Sequence, residues 1–461
     1  MRKVWLVRYS SEVFTKSEGL KRQLIFNLQR SIEEALKRNK VLGRVWRDRD
    51  RIYVESDEDI SGILSRVFGI SSFSPTYHFK FEDLEKLKKT IREIFGESVM
   101  GKKFAVRVKT RDKVLSIRKL ESELGGALYD LSSGVDLENP EIQINLEIRG
   151  DDIYAFTETF KGQGGFPSGS QGKAVSLISG GFDSAVASWM GLKRGLKITF
   201  VLFDLGGKDH VVGTYKVINK LYNDWIFGYE PEFYVLGFWP VLMTLSNVKP
   251  KLRLIILKRV MYRLGEILAK NIGADAIITG ESLGQVSTQT IHNLRIIEES
   301  VNIPVFRPLI FMDKEEIIRL SRVIGIYEIS ERIPEYCAIA PPPPPKAKLS
   351  EVKYEEKKVM NALEGVINSA KKIPVSGGYE LEEEIFIFDI PEDAVVIDLE
   401  RVDFFEFMDD IDNLDKSKTY VFVCKEGMKS RQMAKTLRDK GFNAYYTLNS
   451  ILQTTRAKST S

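Results

Sequence analysis

Residues 174–184 read Ala-Val-Ser-Leu-Ile-Ser-Gly-Gly-Phe-Asp-Ser. A partly β-branched apolar run enters a Ser-Gly-Gly turn, which opens onto an apolar, helix-like segment, Ala185–Leu192. Strand, glycine turn and helix N-terminus in that order make an anion site. Small residues let the backbone approach phosphates, and the free N–H groups and the helix dipole point at them. No Gly-Lys-Ser/Thr follows, which excludes a Walker A loop. From Lys173 onward, strand-like Ala174–Ile178, Ile198–Phe203, Glu232–Leu236 and Ala276–Thr279 alternate with helical stretches such as Leu252–Asn271. This alternation predicts a doubly wound parallel sheet. Ligands of such sheets bind at the carboxyl ends of strands. Ser179–Ser184 and Gly280–Gln289 both fall at such ends, so one site can use both.

Upstream, the spacing predicts strand Val4–Tyr9, helix Ser17–Arg38, a hairpin around Arg47–Asp50, a short helix Ile60–Val67 and strand Ser71–Phe79. That β-α-β-β-α-β order suggests a ferredoxin-like domain. Helix Phe81–Phe95, basic strand Lys103–Thr110, helix Ser116–Leu131 and the strand pair Glu141–Arg149 and Asp152–Thr159 follow. Lys161–Gly172 reads as a linker or mobile loop. Charge is concentrated here: Met1–Asp50 carries thirteen Lys/Arg against six Asp/Glu, and Gly101–Leu120 eight against one. Two basic patches upstream of an anion-binding turn favour a polyanion partner, RNA or DNA. The candidates in the second patch are Lys102, Lys103, Arg107, Lys109, Arg111 and Lys113.

Downstream, Pro341–Pro345 cannot continue a helix, and a mostly polar linker runs to about Glu380. Glu382–Asp415 then carries fourteen acidic residues against one basic, and Lys416–Ser461 reverses this, ten against two. Strands Ala394–Leu399 and Thr419–Cys424 and helix Ser430–Lys440 suggest a small α/β domain. The chain has two cysteines, Cys337 and Cys424, too few for a disulfide scaffold or a zinc or iron–sulfur cage. Its three histidines, His78, His210 and His292, lack ligand spacing and read as packing or surface residues, so no resident metal is expected. No apolar run has membrane-spanning length and no signal peptide is evident, so a cytoplasmic protein with no membrane association is expected.

Together the motifs resemble the tRNA 4-thiouridine synthetases, the ThiI family linked to thiamine biosynthesis. Ser-Gly-Gly-x-Asp-Ser resembles the PP-loop of ATP pyrophosphatases, and Gly280-Glu-Ser-Leu-Gly-Gln-Val-Ser-Thr-Gln-Thr290 is specific to the family. Glu335-Tyr336-Cys337 resembles its cysteine segment, and Cys424-Lys-Glu-Gly-Met-Lys-Ser430 fits the Cys-x-x-Gly-x-x-Ser loop of a rhodanese domain. The resemblance implies a multidomain α+β and α/β chain. Its domains are a ferredoxin-like domain at 1–74, a THUMP RNA-binding domain at 75–160, a PP-loop ATP pyrophosphatase domain at 173–345 and a rhodanese-like domain at 381–461. It also implies the site residues. Leu177, Ile178, Ser179, Gly180, Gly181, Asp183, Ser184, Leu202, Phe203, Lys258, Gly280 and Gln289 correspond to the ATP site. Cys424 matches the persulfide carrier, and Cys337 its disulfide partner.

The implied reaction is ATP-dependent 4-thiouridine formation at uridine-8 of tRNA. ATP activates the uridine by adenylation, and a cysteine persulfide delivers sulfur. Asp183 is the candidate for orienting the reacting groups or for Mg²⁺, since a carboxylate beside phosphates needs a cation. The implied partners are tRNA and a cysteine desulfurase or other persulfide donor, with a homodimer left open. Two alternatives remain: an amide-forming PP-loop ligase, and a sulfur carrier acting only in thiamine synthesis.

Overall fold

The computed structural model describes residues 2–48, 50–110, 116–205, 207–333, 342–377, 390–391, 393–402, 407, 411–424 and 428–448. Two compact units emerge. One comprises Met1–Gln171 with Leu192–Leu196 and Asn223–Tyr229; the other comprises Gly172–Gly191, Lys197–Tyr222 and Glu230–Ser461.

The first unit is built on one nine-stranded sheet. Its strands are β1 (Arg2–Tyr9), β2 (Arg44–Arg47), β3 (Ile52–Glu55), β4 (Ile70–Lys80), β5 (Lys103–Thr110), β6 (Gly134–Val135), β7 (Ile142–Arg149), β8 (Asp152–Phe156) and β9 (Phe160–Lys161). They run in the order β2-β3-β1-β4-β8-β7-β5-β6, with β9 pairing β4. The first four follow the β-α-β-β-α-β plan, although the second helix shrinks to Ser61–Leu64. Strand β4 belongs to two sets of partners. It pairs β1 from Ile70 to His78 and β8 from Tyr77 to Lys80. An expected domain boundary at 74/75 therefore falls inside one continuous strand.

Alternation along β4 explains which face is covered. Phe73 packs with helix Glu18–Arg38 through Leu24, Leu28 and Ile32, while Tyr77 and Phe79 pack with helix Leu84–Val99 through Leu87, Ile91 and Phe95. Odd-numbered residues of β4 thus meet both helices, as a period of two requires. The opposite face carries a charge cluster: Glu147 accepts from Arg8 (3.0 Å), Arg51 (3.1 Å) and Arg149 (3.1 Å). Arg8 and Arg38 (which donates to the carbonyl of Ile226 at 3.0 Å) thus spend their charge or donors internally. The basic surplus of Met1–Asp50 overstates what that stretch offers a polyanion.

The second unit holds a six-stranded sheet of order β14-β13-β10-β11-β12-β15. Its strands are β10 (Lys173–Leu177), β11 (Lys197–Asp204), β12 (Glu232–Gly237), β13 (Ala276–Ile278), β14 (Val305–Phe306) and β15 (Lys371–Ile373). The first five are parallel and β15 is antiparallel to β12. The parallel strands are nearly continuous apolar runs because helices cover both faces. Helix Arg253–Ile272 ends at Gly273 in the left-handed conformation (φ 66°), the usual stop for an α-helix.

One sequence expectation fails here. The stretch after the prolines is not a polar linker. It forms helices Leu349–Glu356 and Ala362–Asn368 and the edge strand β15. Val352, Val359, Leu363 and Val366 lie in the core of this sheet unit. Its polarity misled because some charges are buried: Glu356 binds the fully buried Arg259 (2.9 Å) and Arg263 (2.9 Å). Removing one partner of such a pair costs about 3–5 kcal/mol. These charges therefore pin the segment to helix Arg253–Ile272.

A three-stranded parallel sheet, β16 (Val395–Asp398), β17 (Thr419–Cys424) and β18 (Asn443–Leu448), completes the second unit. Helix Met428–Asp439 covers it through Met433, Ala434 and Leu437.

Candidate active site

The chain runs from β10 through β11 to β12 on one side of the sheet, then crosses to β13 and β14 on the other. The reversal between β10 and β13 opens a crevice at their carboxyl ends. Both expected segments meet there. A Cβ on Gly280 would lie 2.6 Å from Asp183 C and from Ser184 N, so the backbone after β13 rests directly on the glycine turn. Gly180 has φ 80°, and a Cβ there would meet Thr214 Oγ1 at 2.7 Å and Ile333 Cδ1 at 2.8 Å. Only glycine fits both positions, one for conformation and closeness, the other for closeness alone.

The turn is closed by its own hydroxyls. Ser184 Oγ accepts from Ser179 N (3.2 Å) and donates to the Gly181 carbonyl (2.9 Å). Helix Phe182–Lys193 begins immediately, so its first N–H groups have no intrahelical acceptor and face out of the N-terminus. Ile178 N is already spent on the Val201 carbonyl (2.9 Å), and Leu177 pairs Val201 across the sheet. Leu202 and Phe203 are buried on β11 opposite Val235 and Leu236. These four residues offer backbone atoms and apolar walls.

Asp183 does not stand alone. Lys314 Nζ lies 3.0 and 3.3 Å from its two carboxylate oxygens, and Gln285 Nε2 donates to it at 3.1 Å. The Lys314 ammonium also sits 4.3 Å from the Phe182 ring centroid. Its place is fixed by a capping box, in which Asp313 and Glu316 close the start of helix Lys314–Ile324. An ion pair this exposed contributes only about 0–1 kcal/mol to stability. Its consequence is a cation held at the mouth of the phosphate turn.

Lys258 reaches the same segment from helix Arg253–Ile272. Its Nζ is bound to Glu281 Oε1 at 2.9 Å. The buried Glu281 also accepts from Arg307 Nε (2.9 Å), Thr279 Oγ1 (3.1 Å) and the Tyr262 hydroxyl. Burial pushes this carboxyl up, but Lys258 and Arg307 outweigh it and hold it at about 2. The network anchors the residue after Gly280. Gln289 is buried, and its Oε1 has no hydrogen-bond partner among the described residues. His210, also buried, donates from Nε2 to the Ser179 carbonyl (3.0 Å). Burial lowers its pKa against the opposing pull of Asp204, leaving a neutral ring that fixes the turn from behind.

Cys424 ends β17 and is buried; Ser430 presents its N–H (3.5 Å) and Oγ (3.2 Å) to the sulfur. Cys337, Arg111, Lys113 and the loop residues Lys425 to Gly427 lie outside the described residues. Ile333, four residues before Cys337, packs at Gly180 and Gly213. Of the basic candidates, Lys102, Lys103 and Lys109 are exposed. Arg107 is half-buried and donates to the Leu137 carbonyl at 2.5 Å.

Sequence reasoning missed Lys314, His210 and Glu281. The Asp313-x-x-Glu316 cap was the available signal for Lys314. For Glu281 the signal was its place in the Gly280–Thr290 segment; His210 carried none, since its partner Ser179 lies 31 positions away.

The model described as thiamine biosynthesis protein (ThiI) matches residues 169–361. The ThiI ferredoxin-like domain matches 4–74 and the THUMP domain 81–158. A probable tRNA sulfurtransferase of Sulfurisphaera tokodaii is 40% identical over 372 residues, 80% of this chain and 99% of the relative. The chain belongs to the ThiI family. Another ThiI relative, a tRNA sulfurtransferase of Pyrobaculum aerophilum, is 36% identical over 87% of this chain and 88% of its own. Among solved structures, a 4-thiouridine synthetase in complex with RNA and with bound ATP superposes with a TM-score of 0.71. It is 29% identical, covering 81% of this chain and 99% of that one. The ferredoxin-like, THUMP and PP-loop domains of the ThiI family are therefore all present. No helix among the described residues is long and apolar enough to cross a membrane.

Proposed function

We propose that this protein is an ATP-dependent tRNA sulfurtransferase that makes 4-thiouridine at uridine-8, working in the cytoplasm. The observation that carries the reading is the contact of Gly280 with the Asp183–Ser184 backbone. It joins the PP-loop turn and the family segment into one crevice suited to a nucleotide. The 4-thiouridine synthetase relative with RNA and bound ATP supports the same reading.

In the first half-reaction, the C4 oxygen of uridine attacks the α-phosphate of ATP, and pyrophosphate leaves. The first-turn N–H groups of helix Phe182–Lys193 stabilise the charge building on the phosphates, and Lys314 adds a cation. Mg²⁺ takes one or two carboxylates plus phosphate oxygens and water, and the single carboxylate of Asp183 fits that demand. Bound with ATP, the ion would neutralise phosphate charge. Among the described residues, no group of three or more His, Cys, Asp or Glu offers another metal site.

In the second half-reaction, a persulfide on Cys424 attacks C4 of the adenylated uridine through its outer sulfur, and AMP leaves. The Cys337 thiolate then attacks Cys424 Sγ, releasing 4-thiouridine and leaving a Cys337–Cys424 disulfide that an external dithiol reduces. The three-stranded sheet with Cys424 at a strand end, before a helix N-terminus, supports a rhodanese-like role. The persulfide comes from a cysteine desulfurase or similar donor, and the same sulfur also serves thiazole synthesis. Lys102, Lys103, Arg107 and Lys109, with Arg111 and Lys113, form the tRNA surface.

The test uses purified protein, unmodified tRNA, ATP–Mg²⁺ and a persulfide source, with 4-thiouridine read by its near-ultraviolet absorbance. Cys424→Ala should abolish thiolation while pyrophosphate release continues, and Asp183→Ala should block pyrophosphate release. Thiolation by Cys424→Ala would reject the persulfide role.

A further inference from the structure

The Cys424 sheet is docked, not merely attached. Two features of different chemistry hold it against the PP-loop sheet. Trp239 and Met243, on helix Trp239–Leu245 beyond the carboxyl end of β12, pack onto the cluster that contains Phe422, Cys424 and Met433. Separately, Arg431 Nη1 lies 3.4 Å from Asp204 Oδ2. Asp204 is the last residue of β11, at the same edge of the sheet as the phosphate turn.

Both contacts bear on the sulfur. Arg431 follows Ser430, whose N–H and hydroxyl contact Cys424 Sγ, in the first turn of helix Met428–Asp439. A pull on Arg431 is therefore a pull on Ser430, which contacts the Cys424 sulfur. On the other side, Asp204 acts electrostatically on His210, whose ring holds the Ser179 carbonyl of the phosphate turn. The connection from Cys424 to the phosphate turn is thus Ser430, Arg431, Asp204, His210 and Ser179. The Arg431 and Asp204 side chains are 31% and 18% exposed. Such a pair adds little to stability, but it fixes register between two surfaces that apolar contact alone would let slide.

We infer that Arg431 is a positioning residue. Its pair with Asp204, together with the Trp239–Met243 face, seats Cys424 and the start of helix Met428–Asp439 against the carboxyl edge of the PP-loop sheet for sulfur delivery. The inference rests on the sulfurtransferase reading for its chemistry, but the seating can be measured without turnover.

The test uses the full chain with Arg431→Glu, Arg431→Lys and Met243→Glu. Amide hydrogen exchange over Trp239–Leu245 reads the seating. Single-turnover transfer of sulfur from persulfide-loaded Cys424 to tRNA reads the delivery, and pyrophosphate release reads the crevice. Arg431→Glu and Met243→Glu should raise exchange in that helix and slow transfer about tenfold or more, a loss within reach of small misplacement. Pyrophosphate release should stay near wild type, and Arg431→Lys should restore both readings. Unchanged exchange in Arg431→Glu overturns the inference, whatever happens to transfer; so does raised exchange with a wild-type transfer rate. Failure of the wild-type chain to form 4-thiouridine from loaded Cys424 would instead reject the sulfurtransferase reading, while exchange still judges the seating.

Discussion

Gly280→Ala tests the construction of the crevice most directly. The position has no unusual backbone conformation, so the cost comes from space alone. The new methyl would sit 2.6 Å from Asp183 C and Ser184 N and 2.8 Å from Ser184 Cα. All three are backbone atoms of the phosphate turn, so no side chain can swing away; the turn or the strand end must move. Overpacking of this kind costs about 1–3 kcal/mol. At about 2–4 °C per kcal/mol for a domain of this size, melting should fall by about 2–12 °C. The functional loss should be larger, since a shift of about 1 Å in an aligned site can cost on the order of 100-fold. Gly181→Ala is the control, because its methyl meets only Ser179 Oγ, at 3.6 Å. It should melt like wild type and weaken ATP use only through crowding at the phosphates. Pyrophosphate release and thermal melts on both variants decide the matter. A Gly280→Ala protein with wild-type pyrophosphate release would refute the idea that this contact shapes the nucleotide site.

Three further expectations concern charge. Glu281 is depressed from an ordinary 4.5 to about 2. A lowered folded-state pKa gives stability that is present above about 4.5 and lost as pH falls toward 2, worth about 3 kcal/mol in all. Urea unfolding at pH 7 and pH 3 should therefore show Glu281→Gln costing much less at the lower pH; an equal cost at both would refute the assignment. Replacing Lys103 and Lys109 with Ala should flatten the salt dependence of tRNA binding by roughly 0.7–0.9 per lost phosphate contact, with pyrophosphate release from free ATP unchanged; an unaltered slope would remove them from the RNA surface. Arg259→Ala should unfold the sheet unit at markedly lower denaturant, because Glu356 and the Ile296 carbonyl lose a buried donor; a wild-type midpoint would contradict the pinning of the segment after the prolines.

Much of the architecture was legible because it repeats local rules. The strand, glycine turn and helix around Ser179–Ser184 lie within one short stretch, and so does the hairpin at Arg47–Asp50. What was not legible depends on long-range pairing. Val352, Glu356 and Ile373 sit in a stretch whose composition reads as a linker, yet Glu356 meets Arg259 from 97 positions away and Ile373 pairs Phe233. Polarity signals solvent only when no buried countercharge waits elsewhere in the chain, and a single sequence does not reveal the countercharge. The basic surplus of Met1–Asp50 overstates its free charge for the same reason, since Arg8 is drawn to Glu147, 139 positions away.

The candidate site divides along the same line. Its glycines were readable because a backbone demand falls on the residue that meets it. Its electrostatics were not, because each charge is defined by its partner. Lys258 suits phosphate as a sequence residue, but folding places it on the buried Glu281 carboxylate, whose depressed pKa keeps it ionised at any working pH. Lys314 takes the position at the turn. Two of its three ammonium protons can serve the two oxygens of Asp183 at 3.0 and 3.3 Å, leaving the third for a phosphate oxygen. The two lysines therefore differ in setting: Lys258 is tied to the strand end that presses on the turn, and Lys314 stands at the turn itself. Neutralising Lys258 should then act through the placement of Gly280 and raise exchange in that segment. Neutralising Lys314 should leave the fold unchanged and remove pyrophosphate release.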